Sequence, residues 1–132
     1  MLIKDTQGKY ELEVDVSKRI VVQRTVKGLF PVDAMERMHD DYVKKVIPLF
    51  KGQKWAKLCD MRDYATSPAI NDLMEQHNKH CVSNGLAHVA LVVQSAVAKL
   101  QMNRAGDKVK FAPMAFTTME EAYDYLRTNG YK

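Results

Sequence analysis

Three side chains on one stretch, His77, His80 and Cys81, have the donor types and the helical spacing to meet a metal ion, because positions three and four apart on a helix share a face. Three donors are fewer than a closed structural site needs. The surrounding stripe of Ile70, Leu73 and Met74 points the same way, so a buried thiol with hydrogen-bonded histidines is the expectation, and no metal or other cofactor is expected. His88, in an apolar run, reads likewise. Asp60, Arg62, Asp63, Thr66 and Ser67 form the other candidate set: an apolar strand, WAKLCDM, runs into a charged turn and then a helix start. Side chains at the carboxyl end of a parallel strand are where open α/β sheets usually bind ligands. Arg62 between two acids also suits a plain local salt bridge, and Thr66 and Ser67 suit helix caps. A nucleophilic Cys59 would need an exposed thiol, whereas a mid-strand cysteine beside Leu58 is expected to be buried.

These residues need elements to hold them. Tyr10 to Val16 alternates polar and apolar side chains with the period of a strand, and Arg19 to Lys27 is rich in Val, Ile and Thr. Ser17-Lys18 joins them as an antiparallel hairpin. Met35, Met38, Tyr42, Val46 and Leu49 recur at helical spacing after Pro31, and Pro48 should kink or stop that helix near Ile47. Trp55 to Met61 is the third strand. Ser67 caps a second helix with Pro68 at its first position, ending at Gly85. Ala87 to Val93 is a central strand covered on both faces. A third helix follows Ser95 and ends at Gly106, Lys108 to Ala112 alternates as a strand, and Thr117 with Glu120 makes a capping box for a last helix.

The order is two strands, a helix, then strand and helix in turn. That predicts an α/β mixed sheet of about five strands, antiparallel in its N-terminal hairpin and parallel elsewhere, with about four helices.

The 132 residues fit one domain, and a composition 46% hydrophobic and 27% charged excludes disorder and fibrous repeats. A net charge of +4, from 20 basic and 16 acidic side chains spread along the chain, gives no basic arm for nucleic acid. Lys44, Lys45, Lys51, Lys54 and Lys57 occur without an intervening acid, either as a dock for an anionic partner or as lysines meeting the negative end of a helix dipole. The opening residues lack the apolar stretch of a signal peptide or membrane span, so a cytoplasmic protein without integral membrane association is expected. Met35, Met38, Met61, Met74, Met102, Met114 and Met119 either fill core gaps or line an adaptable groove, and Phe30, Phe50 and Trp55 could add an exposed rim.

The element order, the strand-end WAKLCDMRD, the AHVALVV strand and the closing FTTMEEAYDYL together resemble the SpoIIAA-like group, which holds the STAS and CRAL-TRIO domains. The resemblance covers nearly the whole chain as a single STAS-like domain, similar to small stand-alone bacterial members of unassigned function. It implies a non-enzymatic regulatory or protein-interaction module that recognises a protein partner through the loop after the third strand. In the anti-sigma-factor antagonists a serine opening the next helix is phosphorylated, and Ser67 stands nearest that place, within Ala65-Thr66-Ser67-Pro68 where the family has Asp-Ser-Ser-Gly. The lipid-binding members imply an alternative, a carrier of a small apolar or lipid-like ligand, although 132 residues leave no room for the extra helices that close their pocket. A small hydrolase or metal enzyme is the third reading, and a homodimer through the wet face of the hairpin stays open.

Overall fold

The computed structural model describes residues 1–26, 28–62, 64–65, 67–96, 99 and 113–132, with the backbone alone at 64 and 65. Six strands form the main sheet: β1 (Leu2–Lys4), β2 (Tyr10–Asp15), β3 (Ile20–Thr25), β5 (Trp55–Asp60), β7 (Leu86–Val92) and β8 (Met114–Phe116), side by side in that order. β4 (Gly28–Leu29) and β6 (Tyr64–Ala65) make a separate short parallel pair. β1, β2 and β3 are antiparallel, while β3, β5, β7 and β8 run parallel. This is the mixed sheet expected from the sequence, with β1 as an additional edge strand. The strand predicted over 108–112, and most of the helix before it, lie outside the described residues. Residues 96 and 99 are helical, with the Lys99 amide donating to the Ser95 carbonyl at 3.0 Å.

Period-two alternation divides the strands between two cores. In β5, Trp55 and Cys59 face the layer made by α1 (Val32–Asp41) and α2 (Pro68–Ser83), whereas Ala56 and Leu58 face α3 (Met119–Thr128). Burying a leucine such as Leu58 or Leu126 removes roughly 1.5–3 kcal/mol of apolar exposure. On the α1/α2 side Phe50 stacks on Trp55 with ring centroids 5.2 Å apart, and the indole N–H donates to the Asn84 carbonyl at 2.9 Å. Phe30, Phe50 and Trp55 are therefore core residues, not an exposed rim. On the opposite side Tyr131 is buried, its hydroxyl donating to the Trp55 carbonyl and lying 3.0 Å from His88 Nδ1.

Pro48 shapes the end of the first helix as its chemistry requires. It lacks an amide to continue the ladder, and its ring would strike the preceding turn. The helix instead widens to a π segment over Tyr42–Val46, with the Ile47 amide bonded to the Tyr42 carbonyl, then tightens to a 3-10 turn over Ile47–Phe50. Gly85 follows α2 at φ +100°, and a Cβ there would stand 2.8 Å from the Gln53 carbonyl oxygen. The last helix is capped one residue later than predicted: Thr118 accepts the Glu121 amide at 3.1 Å, and Glu121 reaches back to Thr118. Arg37 on α1 grips the buried Asp5 of the β1–β2 turn through two bonds of 2.7 and 3.0 Å, and holds its carboxyl down at about 2. No described helix is long and apolar enough to cross a membrane.

Candidate functional site

Alternate residues from the C-terminal halves of β3, β5 and β7 contribute to one cavity on the α1/α2 side of the sheet, joined by Asp60 at the end of β5. Gln23 and Thr25 come from β3, Lys57 and Cys59 from β5, Val89 and Leu91 from β7, and Met74 and Asn78 from α2. Its volume is about 450 Å³, within the range of small-molecule sites, and its walls are mostly apolar. Polar side chains are interspersed, among them Gln23, Thr25, Lys57, Asp60 and Asn78. Thr25 Oγ1 is buried beside it with no hydrogen-bond partner among the described residues.

Lys57 departs most from expectation. Counted above with the run of lysines that has no intervening acid, it is 1% exposed, because the alternation of β5 turns it inward between Trp55 and Cys59. Its Nζ lies 2.6 Å from His77 Nε2 and 4.2 Å from the centroid of the Tyr42 ring. His77 Nδ1 in turn lies 2.7 Å from Nδ1 of His39 on α1, and Cys81 Sγ is 3.6 Å from His77 Nε2. The Tyr42 hydroxyl donates to Gln23 Oε1 at 2.7 Å, which fixes the amide on the cavity wall. Burial pushes the Lys57 amine below its ordinary value. His77 is driven down to about 2, chiefly by burial and then by Lys57, so this pair does not hold two positive charges. Burial also raises the Cys59 thiol to about 11, which leaves it protonated and inert as expected.

The chain of polar groups ends in a second recess between α1 and α2, of about 450 Å³, lined by Glu36, His39, Asp40, Gln76, His77 and His80 among others. His80 belongs to this outer surface and is exposed, contrary to the expectation that it is buried with His77 and Cys81. Among the described residues no group of three His, Cys, Asp or Glu side chains is arranged to hold a metal ion.

At the cavity mouth Asp60 accepts from Arg62 three times, from the amide at 3.2 Å and from the guanidinium at 2.9 and 2.7 Å. That ion pair keeps the Asp60 carboxyl below the usual range. The predicted set thus comes together in part: Asp60 lines the cavity and Arg62 braces it from outside, 48% exposed. Ser67 serves as the cap of α2, its hydroxyl accepting the Ile70 amide at 3.4 Å. Asp63 and Thr66 lie outside the described residues. Lys57, His39, Gln23 and Thr25 escaped sequence reasoning. For Lys57 the signal was there, since WAKLCD alternates and places it on the Trp55 face. His39 carried none, because its contact with His77 spans 38 residues.

A crystal structure of an uncharacterized protein from the DUF3478 family, from Shewanella loihica PV-4, superposes on this chain with a TM-score of 0.66. The match covers 94% of this chain and 98% of that one at 16% sequence identity, and that protein is described as having a SpoIIAA-like fold. No family model matches the sequence, and no curated protein matches it significantly. A likeness at this identity speaks for architecture alone, and in architecture the chain has a SpoIIAA-like α/β fold.

Proposed function

We propose that this domain binds a small, largely apolar molecule carrying one polar end, in the cavity between the sheet and α2. The carrying observation is that cavity: its surface is mostly apolar, from Met61, Met74 and the β7 side chains, with Gln23, Thr25, Lys57 and Asp60 as polar groups from β3 and β5 and Asn71 and Asn78 from α2. Buried hydrogen-bonding groups without partners cost free energy, so a ligand that satisfies Thr25 Oγ1 gains affinity there. We read the role as binding. Native mass spectrometry and thermal shift with decanol test it. Expected are one bound molecule and a raised melting temperature, both lost in Met74→Trp, which fills the cavity from its half-buried helical wall. No bound mass and no shift would overturn it.

A second reading, recognition of a protein partner through the loop after β5, is favoured by the position of the Asp60–Arg62 pair at the cavity mouth. Pull-down with wild type and an Arg62→Ala, Ser67→Ala double variant tests it. An identical set of captured proteins would count against the loop.

A further inference from the structure

Lys57 touches two sites at once. It forms part of the cavity wall, where it is the only amine among the described lining residues, and its Nζ is bonded to His77, which lines the recess between α1 and α2. The groups facing this amine are the imidazole of His77 and the thiol of Cys81 from α2, the ring of Tyr42 from the π segment, and Cys59 from its own strand. None is a carboxylate. A buried ammonium without a counter-ion is costly, and the attraction of one aromatic ring, about 2 kcal/mol when desolvated, does not replace lost hydration. Burial therefore shifts the lysine toward the neutral amine, the form in which a lysine is a nucleophile.

Two proton arrangements satisfy both short contacts, and the relay uses the one in which the Lys57 N–H donates to His77 Nε2 and His77 Nδ1–H donates to His39 Nδ1, leaving the amine lone pair free. His39 is half-buried in the wall of the second recess, so the three groups run from the cavity to the recess between α1 and α2.

We propose that Lys57 anchors an apolar aldehyde covalently in the cavity, as an imine, with His77 and His39 carrying the proton between the buried amine and the α1/α2 recess. This rests on the cavity being a ligand site, and adds the class of ligand. The Nζ lone pair attacks the carbonyl carbon, a C–N bond forms, and the π pair moves to oxygen. One amine proton passes to His77 Nε2 as His77 Nδ1–H passes to His39, and the reverse relay returns a proton to the carbinolamine oxygen. Both amine protons leave with that oxygen as one water molecule, and no oxidant or reductant takes part. His77 acts through the amine and is a positioning and relay residue.

The test is incubation of the full chain with decanal and a mild hydride reductant, which converts the imine to a stable secondary amine. Intact mass should rise by that of decanal less one oxygen, peptide mapping should place the adduct on Lys57, and excess decanol should suppress it. Lys57→Met should abolish that adduct. His77→Leu should slow its formation at least about tenfold and change its pH profile, which a merely structural role would not do. Mapping on wild type keeps the test decisive even where a variant folds poorly. Decanol binding with adducts only on exposed lysines, or with none, would overturn the covalent anchor and leave the cavity a binding site. Decanoate binding tighter than decanol, dependent on Lys57 and without any adduct, would replace the imine by an ion pair. Failure of decanol and decanal alike to bind would overturn both readings.

Discussion

Lys57 Nζ and His77 Nε2 stand 2.6 Å apart between the sheet and α2, joining the central strand to the helix through the interior. Removing one member strands the other. His77→Leu should cost about 1–3 kcal/mol, because a buried amine loses its partner. The double variant Lys57→Met, His77→Leu, with two apolar groups of similar bulk, should recover most of that loss. Urea unfolding of the two single variants and the double variant gives the coupling directly, and additive losses would contradict the pairing.

Acid should weaken the fold well before its carboxylates titrate. The folded-state value of His77 is about 2 against an ordinary 6.5, so below that pH the unfolded chain takes up a proton the folded chain refuses. Stability is then lost as pH falls from about 6.5, by at most about 1.4 kcal/mol per unit for this one group. Lys57, His39 and His88 are shifted in the same direction and contribute with the same sign, each below its own unfolded value. Asp5, held down at about 2 by Arg37, adds its loss only below about 3.8. Urea midpoints between pH 7 and about 4.5 should fall steadily in wild type and less steeply in His77→Leu.

Ser67→Ala should cost about 1 kcal/mol through loss of the α2 cap, while Ser67→Asp, also a good capping residue, should cost much less. Thermal or urea unfolding separates the two. Equal losses would mean that the hydroxyl does something other than accept the Ile70 amide.

Cys59 and Cys81 are both buried and their thiols are pushed up, so neither should react with iodoacetamide in the native state at neutral pH. Both should react at once in denaturant. Rapid native labelling of either, read by intact mass, would contradict the packing around Lys57.

Gly85→Ala should destabilise by more than the few tenths of a kcal/mol usual for a surface change. At φ +100° an alanine is strained, and its methyl would press on the Gln53 carbonyl and the Trp55 ring. A midpoint equal to wild type would show that the turn after α2 yields.

Most of the architecture was legible because it follows from periodicity and capping. Alternation in Tyr10 to Val16 and the nearly unbroken apolar run before Val93 produce β2 and β7, and Ser67-Pro68 opens α2 where expected. The capping box slipped by one residue because Thr117-Thr118 and Glu120-Glu121 satisfy the same pattern in two registers, and only side-chain geometry separates them. The site was legible in half. Asp60 and Arg62 are local, two residues apart, whereas Lys57, His77 and His39 meet only when β5, α2 and α1 are stacked. Reading Lys57 by its charge, and not by its parity within the strand, hid it.

The burial of Tyr131 has a practical side. The aromatic ring one residue before Lys132 sits beneath the guanidinium of Arg19, 5.3 Å from its centroid, and plugs the layer behind Trp55. Cutting the chain ahead of that ring would unseat the underside of the sheet.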